Sequence, residues 1–272
     1  MDRYAVIGNP VAHSKSPQIH TAFASATDQQ MTYERLLAPV DGFVAAVDAF
    51  AAHGGRGLNV TVPFKLQAFA LAHTASARAL AAGACNTLLR AGDGWYADNT
   101  DGAGIVHDLT HNLRVPLAGR DVLVLGAGGA ARGILVPLFA QQPRSVTLTN
   151  RTAAKADALA TIFSPRGPLR AVAPAALAGQ DFDVVINATS AGLADDDSLP
   201  WPSDLFRPGA FAYDMIYADR PTPFRRWAHA TGAARSADGL GMLIEQAAES
   251  FALWRGVRPD TRSIFAMLRP LG

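Results

Sequence analysis

The sequence has few cysteines, little net charge and no secretory leader pattern. Its single cysteine, Cys85, excludes an intrachain disulfide and is typical of a protein of the reducing cytoplasm. The 24 Lys and Arg residues nearly balance the 23 Asp and Glu residues, which leaves a net charge of +1. Without a basic excess, electrostatic binding to nucleic acid is not expected. The N-terminal residues MDRYAVIGNP carry charge at once and lack the apolar core of a signal peptide.

A long uninterrupted apolar segment is also missing. The most apolar stretch, residues 122–140, is interrupted by Arg132 and Pro137. A membrane span needs about 20 mostly apolar residues with few breaks, so no membrane association is expected. What remains is 49% hydrophobic residues in a chain of 272, which predicts a cytoplasmic α/β protein of one or two domains.

Strand and helix patterns alternate along the chain, which is typical of βα units around a parallel sheet. The predicted strands cover residues 4–7, 31–37, 58–62, 121–125, 145–149, 182–186 and 210–213. Gly92-Asp93-Gly94 predicts a hairpin between strands at 84–90 and 95–97. Ser16, Asp41 and Asp101 each predict the cap of a following helix. The simplest division is a first domain of residues 1–101, a second of 102–237, and C-terminal helices in 238–272 that return to the first.

A glycine-rich turn follows the predicted strand at 121–125. Gly126 permits a tight turn, Gly128 lets the backbone approach a pyrophosphate, and Ala131 keeps helix and strand close. The helix that begins here offers free N–H donors and the positive end of its dipole to an anion. A tight turn in an unrelated sheet can contain the same glycines, but the preceding apolar strand favours a dinucleotide site.

The end of the next strand favours NADP over NAD. An NAD site usually has Asp or Glu about 20 residues after the glycines, where it binds the ribose hydroxyls. Here the strand at 145–149 is followed by Asn150-Arg151-Thr152, and Lys155 lies one turn into the next helix. Arg151 can bind a 2′-phosphate with its planar fork of donors, and Lys155 adds a second positive charge. Positive charges near the start of a helix slightly destabilise it. The presence of Arg151 and Lys155 there therefore favours a role in binding over two solvated surface charges.

Polar side chains concentrate at predicted strand ends and helix starts of the first domain. The four stretches are Ser14–Pro17, Asn59–Lys65, Cys85–Thr87 and Asp98–Gly102. Asn59 and Thr61 alternate on a predicted strand, so we expect their side chains on one face. Each polar residue could serve as a cap or Asx turn, but together they predict a small polyhydroxylated ligand.

A hydride-transfer reaction would explain why such a site contains an ammonium and a carboxylate. Transfer of hydride to a ketone leaves negative charge on oxygen, so a proton donor must lie beside it. Lys65 can donate this proton, and it would act as the base in alcohol oxidation. Asp101 would hold the ammonium and share the hydrogen bond to the substrate hydroxyl.

These motifs resemble those of the shikimate dehydrogenase family in order, and they span nearly the whole chain. The matching motifs are Ser14-Lys-Ser-Pro17, Asn59-Val-Thr-Val-Pro-Phe-Lys65, Asn86-Thr87, Asp98-Asn-Thr-Asp-Gly102, Gly126–Ala130, Asn150-Arg-Thr152, Asn187-Ala-Thr-Ser190, Asp214-Met215 and Asp238-Gly-Leu-Gly-Met242. The resemblance implies an N-terminal α/β substrate domain and a Rossmann-like, doubly wound dinucleotide-binding domain. It implies reversible NADPH-dependent reduction of 3-dehydroshikimate to shikimate, in aromatic amino-acid biosynthesis.

The resemblance also implies a role for individual residues. Lys65 and Asp101 are implied as the catalytic pair. The implied substrate-binding residues are Ser14, Ser16, Asn59, Thr61, Lys65, Asn86, Asp101, Tyr217 and Gln246. The implied cofactor-binding residues are Gly126, Ala127, Gly128, Gly129, Ala130, Asn150, Arg151, Thr152, Lys155, Thr189, Met215, Gly239 and Met242. Lys155 stands where many members of the family have Arg, which keeps the charge but weakens a bidentate grip on phosphate.

Some alternatives stay open at this stage. A dehydrogenase of mixed quinate and shikimate specificity would contain much the same motifs. A non-catalytic NADP-sensing protein is a further alternative, although the presence of both Lys65 and Asp101 argues against it. The residues do not give the oligomeric state, and a homodimer is left open.

Two further groups of reactive side chains are expected to have no chemical role. His107 and His111 have the spacing of a helical zinc site but lack a third ligand, so no metal is expected. Cys85 precedes Asn86 without a base motif, so it is interpreted as a small buried hydrophobe and not as a nucleophile.

Overall fold

The chain forms two compact units in a computed structural model that describes residues 1–189 and 201–268. The first unit contains residues 1–104 and the chain from Leu243 onward, and the second contains Ile105–Met242. Ser190, the last residue of the motif that begins at Asn187, lies outside the described residues. No helix in the described ranges is long and apolar enough to cross a membrane.

The helices in chain order are α1 (Ser16–Ala26), α2 (Phe43–Ala52), α3 (Lys65–Leu71), α4 (Ala77–Ala82), α5 (Asp101–His107), α6 (Gly129–Phe139), α7 (Ala153–Phe163), α8 (Pro223–Ala230), α9 (Leu240–Arg255) and α10 (Arg262–Leu268). The chain passes from the first unit to the second within α5 and returns within α9.

The first unit contains a mixed six-stranded sheet. Its strands are β1 (Asp2–Gly8), β2 (Met31–Leu37), β3 (Gly55–Val60), β4 (Thr74–Ala75), β5 (Thr87–Ala91) and β6 (Gly94–Asp98). They lie in the order β2-β1-β3-β5-β6-β4, in which β5 is antiparallel to both β3 and β6. The hairpin predicted around Gly92-Asp93-Gly94 is confirmed, and it makes this sheet mixed and not parallel throughout. Its loop of Gly92 (φ +59°) and Asp93 reverses the chain within two residues.

Three local predictions in the first unit are wrong. Strand β3 ends at Val60, so Thr61 lies in the following loop and does not share a strand face with Asn59. Asp41 does not cap α2, because Gly42 occupies the cap position and no side chain caps it. Ser16 is the first residue of α1 and no cap, and its own N–H donates to Ser14 Oγ at 3.3 Å.

Asp101 likewise begins α5 without capping it. Its backbone N–H donates to Asn99 Oδ1 at 3.2 Å, so the side chain of Asn99 takes the place that was predicted for Asp101. The carboxylate of Asp101 is thereby left to make contacts elsewhere in the first unit.

The second unit is built on a parallel six-stranded sheet. Its strands are β7 (Asp121–Leu125), β8 (Ser145–Thr149), β9 (Leu169–Ala171), β10 (Phe182–Asn187), β11 (Phe206–Asp214) and β12 (Arg235–Ala237). They lie in the order β12-β11-β10-β7-β8-β9, and every neighbouring pair is parallel. When the six strands are numbered 1 to 6 in chain order, with β7 as strand 1, the order across the sheet from β9 to β12 is 3-2-1-4-5-6. This is the order of a doubly wound dinucleotide-binding sheet. The predicted Rossmann-like fold is confirmed.

Strand β7 shows why this sheet must be covered on both faces. Val122 and Val124 pack into one apolar cluster, with Ile134 and Leu135 of α6. Leu123 and Leu125 point to the opposite face and pack into a second cluster, with Phe224 of α8 and others. The nearly continuous apolar sequence of β7 reflects burial on both sides, as is usual for a central parallel strand.

Carboxylates and arginines meet at the amino end of β7. The Asp121 carboxylate accepts hydrogen bonds from Arg144 Nη2 at 2.6 Å, Ser145 Oγ at 2.7 Å and Arg207 Nη1 at 3.0 Å. Asp183 of β10 accepts from the backbone N–H of Asp121 at 2.8 Å. The hydrogen bonds from Arg144, with those from Ser145 and Arg207, hold the pKa of the Asp121 carboxyl well below its usual range.

Asp121→Asn should therefore lower the stability of the protein at pH 7, by about 1–3 kcal/mol for a lost charge-assisted hydrogen-bond set. Because the pKa of Asp121 is lower in the folded than in the unfolded chain, its contribution is present above pH ~4 and is lost as the pH falls further. Urea unfolding at pH 7 and pH 2 should show a larger difference between wild type and variant at pH 7 than at pH 2. Asp260→Asn is the control variant, because it also removes a carboxylate from an ion pair, that with Arg262, but at a site exposed to solvent. An equal difference at both pH values would contradict this account.

Candidate active site

An ammonium and a carboxylate meet in the first unit. Lys65 is the first residue of α3 and Asp101 the first residue of α5, and Lys65 Nζ donates to Asp101 Oδ2 at 2.5 Å. The side chains are only 14% and 6% exposed, so both charges are largely removed from water. Such a pair is stable only when the remaining lone pairs and protons also have partners.

Asn86 supplies those partners on the carboxylate side. It lies in the loop before β5 and is 3% exposed. Its Nδ2 donates to Asp101 Oδ1 at 2.9 Å and to Gln246 Oε1 at 3.0 Å, and its Oδ1 accepts from the backbone N–H of Thr100 at 2.8 Å. The structure therefore brings Lys65, Asp101, Asn86 and Gln246 of α9 into one hydrogen-bonded group.

Asn59 of β3 belongs to the same buried network. Its Oδ1 accepts from the hydroxyl of Tyr33 at 2.7 Å. Its Nδ2 donates to Ser250 Oγ at 2.9 Å and to Thr87 Oγ1 at 3.2 Å. Since both ends of the amide are bound within the protein, Asn59 holds its neighbours in place.

The other predicted substrate residues are spread over two units. Ser14 and Ser16 lie together at the start of α1, where the Ser14 hydroxyl donates to Ser16 Oγ at 3.1 Å. Thr61 lies after β3, so close to Gly8 that a Cβ there would be 2.3 Å from Thr61 Cγ2. Tyr217 belongs to the second unit, in the segment after β11, and is half-buried.

Sequence reasoning missed Ser250, which joins the parts of this network. Its hydroxyl lies 2.8 Å from Thr87 Oγ1 and 3.2 Å from Thr100 Oγ1, and it receives the hydrogen bond from Asn59. Ser250 follows Gln246 by four residues in α9, so the two side chains share one helix face. This i, i+4 spacing is the signal that could have found it.

Cys85 directly precedes Asn86 in the sequence. It is fully buried, and burial raises the pKa of its thiol to about 12. A thiol in this environment is not a nucleophile at neutral pH, so the prediction of a small buried hydrophobe is confirmed.

The second unit presents its glycine turn at the carboxyl end of β7. Gly126 has φ +107°, and a Cβ there would lie 3.0 Å from the backbone of Ala188, so the turn requires glycine. At Gly128 a Cβ would meet no atom within 4 Å. The first turn of α6 has no side-chain cap, and its N–H groups fit a pyrophosphate.

Asn150 links this turn to the start of α7. Its Oδ1 accepts from the backbone N–H of Ala127 at 3.2 Å, and its Nδ2 donates to the carbonyl of Thr152 at 2.9 Å. Arg151, Thr152 and Lys155 are exposed, and α7 has neither a side-chain cap nor an acidic residue in its first turn. Within residues 1–189 and 201–268, neither Arg151 nor Lys155 forms an ion pair. Two unneutralised cations beside a free helix N-terminus fit a phosphate group.

The remaining predicted cofactor residues follow the next strands of the same sheet. Thr189 follows β10, and its hydroxyl donates to Asn187 Oδ1 at 2.7 Å. Met215 follows β11, and Gly239 packs so closely on it that a Cβ would lie 2.3 Å from the Met215 carbonyl oxygen. Met242 is buried near the start of α9. The strand order reverses between β7 and β10, which is where such sheets bind ligands at their carboxyl ends.

Three family models match the sequence. Residues 6–88 match the shikimate dehydrogenase substrate binding domain, residues 108–194 match shikimate / quinate 5-dehydrogenase, and residues 239–264 match the shikimate 5′-dehydrogenase C-terminal domain.

Individual relatives are similar over the whole chain. A shikimate dehydrogenase (NADP(+)) of Aromatoleum aromaticum is 57% identical, with 99% of this chain and 97% of the relative covered. The crystal structure of an Ael1 enzyme from Pseudomonas putida superposes with a TM-score of 0.89 at 48% identity, with both chains fully covered. Shikimate 5-dehydrogenase from Thermus thermophilus, in complex with NADP(H) and shikimate, has a TM-score of 0.85 at 35% identity and 96% coverage of both chains.

Proposed function

Because this chain belongs to the shikimate dehydrogenase family, we propose that Lys65 and Asp101 are its catalytic pair. The chain is an NADP-dependent oxidoreductase that interconverts 3-dehydroshikimate and shikimate, a reaction of the shikimate pathway. The observation that carries the proposal is the 2.5 Å hydrogen bond between Lys65 Nζ and Asp101 Oδ2 in a largely buried site.

Lys65 and Asp101 divide the proton chemistry between them. NADPH, when bound, supplies the hydride that reaches the carbonyl carbon of the substrate. The Lys65 ammonium donates a proton to the carbonyl oxygen, which becomes the hydroxyl, and in the reverse direction the neutral amine takes that proton back. Asp101 orients the Lys65 side chain, while Asn86 holds the second carboxylate oxygen at 2.9 Å. Each group therefore has a fixed position before the substrate arrives.

The hydroxyls and amides around the pair are proposed to bind the substrate. Ser14, Ser16 and Thr61 offer hydroxyl groups, and Asn86 and Gln246 offer amides, which together match the hydroxyls and the carboxylate of shikimate. Asn59 acts from behind this layer, since its amide is bound to Tyr33 and Ser250. The proposed contribution of Tyr217 comes from the second unit.

NADP binding is assigned to the carboxyl edge of the parallel sheet. We assign the pyrophosphate to residues 126–130 at the start of α6, and the 2′-phosphate to Arg151, Thr152 and Lys155, with Asn150 between them. Thr189, Met215, Gly239 and Met242 are assigned to the nicotinamide side. The first unit, residues 1–104 with the chain from Leu243, then binds the substrate, and the second unit binds the cofactor.

Two further predictions from the sequence concern the setting of the enzyme. A cytoplasmic location is proposed on the single cysteine, Cys85, which is typical of a protein of the reducing cytoplasm. A homodimer remains one option for its assembly.

The function is tested by a panel of shikimate and quinate, each offered with NADP and with NAD. We expect the purified protein to form NADPH from shikimate and NADP at the highest kcat/KM of the four pairs. Equal rates with quinate would instead favour a mixed quinate/shikimate dehydrogenase, and cofactor binding without turnover would favour an NADP sensor.

Lys65→Ala should lower kcat by about 10²-fold or more, because the variant has no group at this position that can move the proton. KM for shikimate should change far less than kcat. Initial rates of NADPH formation measure both constants, and the Kd of NADPH should stay within twofold because Lys65 lies in the other unit. An unchanged kcat would contradict the proton-transfer role.

Arg151→Ala should raise KM for NADP at least tenfold and leave KM for NAD nearly unchanged, because only NADP has the 2′-phosphate. Arg166→Ala provides a matched control, since Arg166 is also exposed but lies beyond the other end of α7. An equal loss with NADP and NAD would show that Arg151 does not bind the phosphate.

A further inference from the structure

Arg78 is not among the catalytic, substrate-binding or cofactor-binding residues proposed above. It binds Asp98, which lies three residues before Asp101. Its Nε donates to Asp98 Oδ1 and its Nη2 to Asp98 Oδ2, both at 2.6 Å, in a bidentate pair. Asp98 is the last residue of β6 and 3% exposed. Ser76 Oγ also donates to Asp98 Oδ1 at 2.6 Å. Burial alone would raise the pKa of the Asp98 carboxyl, but the hydrogen bonds from Arg78 and Ser76 outweigh it and lower the pKa.

Asp98 in turn fixes the turn between β6 and α5. Its Oδ1 accepts from the backbone N–H of Asn99 at 2.7 Å, and its carbonyl accepts from the N–H of Asn86 at 3.1 Å. Asn99 is tied on both sides, because its Nδ2 donates to the Ala84 carbonyl at 2.9 Å and its Oδ1 accepts from the Asp101 N–H at 3.2 Å. The side chain of Asp98 therefore controls where α5 begins.

Arg78 also reaches the helix that carries Gln246. Its Nη1 donates to Glu249 Oε2 of α9 at 3.1 Å. On the same helix, Gln246 lies one turn before Glu249 and Ser250 directly follows it. Gln246 binds Asn86, and Ser250 contacts Thr100. One guanidinium thus joins the turn before α5 to α9.

We propose that Arg78 is a positioning residue for this reaction, whose planar fork holds Asp98 so that Asp101 meets Lys65 and Asn86 in the reactive geometry. The inference rests on the proposed role of the Lys65–Asp101 pair. A guanidinium is required because three donors in one plane serve two carboxylates, whereas an ammonium keeps the charge but cannot match that fork. A misplacement of about 1 Å at a catalytic group can lower the rate about 10²-fold.

The test is Arg78→Lys, assayed for shikimate oxidation with NADP. We expect kcat to fall at least tenfold. KM for shikimate should change less than kcat, because Arg78 braces the segments of Asn86 and Gln246 but does not contact those of Ser14, Ser16 and Thr61. KM for NADP should stay within twofold, since the proposed cofactor residues belong to the second unit. A kcat within twofold of wild type, or a loss confined to KM, would overturn the inference.

Arg207→Lys is the matched control. The side chain of Arg207 is 30% exposed against 33% for Arg78, and it also binds several carboxylates, those of Asp121, Asp181 and Asp183. It lies at the amino end of the second sheet, so this variant should lose thermal stability and keep kcat within twofold. An equal fall of kcat in both variants would show that Arg78 acts only through stability.

A second variant and the wild type keep the test decisive. If Arg78→Lys is not recovered folded, Asp98→Asn replaces it, because this change keeps the size of the side chain but removes the bidentate ion pair with Arg78. A fall of kcat of threefold or more, with a smaller change of KM, supports the inference, and an unchanged kcat overturns it. Wild type that does not oxidise shikimate would refute the proposed function itself, whereas active wild type with fully active Arg78→Lys refutes only the role of Arg78.

Discussion

The largely buried contact between Lys65 and Asp101 is the interaction on which the rest of the first unit depends. Removing two charges from water is costly, and their attraction offsets this only when geometry and further hydrogen bonds are good. Here Asn86 satisfies the second oxygen of Asp101, and Gln246, Thr100 and the groups behind them hold Asn86. The polar interior of this unit therefore exists to keep one ion pair in place.

In the second unit, backbone geometry and not an ion pair positions the proposed cofactor-binding groups. In a parallel sheet every strand delivers its following loop to the same edge, so β7, β8, β10 and β11 place their loops at one edge without long-range ion pairs. At the opposite edge Arg207 forms ion pairs with Asp121 and Asp183. Anion-binding N–H groups and exposed cations at one edge, and paired charges at the other, follow from the direction of the strands.

The strongly patterned elements of the fold were predictable. The bounds predicted for β2, β7, β8 and α7 agree with the structure, because each combines an apolar period with clear end signals. The short edge strands β9 and β12, and the helices α3, α4 and α8, were not predicted, since a few residues give too little periodicity. The predicted caps failed at Ser16 and Asp41, where Lys15 and Gly42 occupy the cap positions, and the Asp101 carboxylate binds Lys65 instead.

The sequence by itself determined the chemistry: which motifs are present, that an ammonium and a carboxylate accompany a glycine turn, and that Arg151 replaces the acidic residue of an NAD site. Only the tertiary structure decided which of these groups touch. Lys65 and Asp101 lie 36 positions apart, and Asn86 and Gln246 lie 160 apart, yet each pair is joined by a hydrogen bond. Contacts over such separations depend on how sheet and helices pack, and local residue patterns do not record that packing.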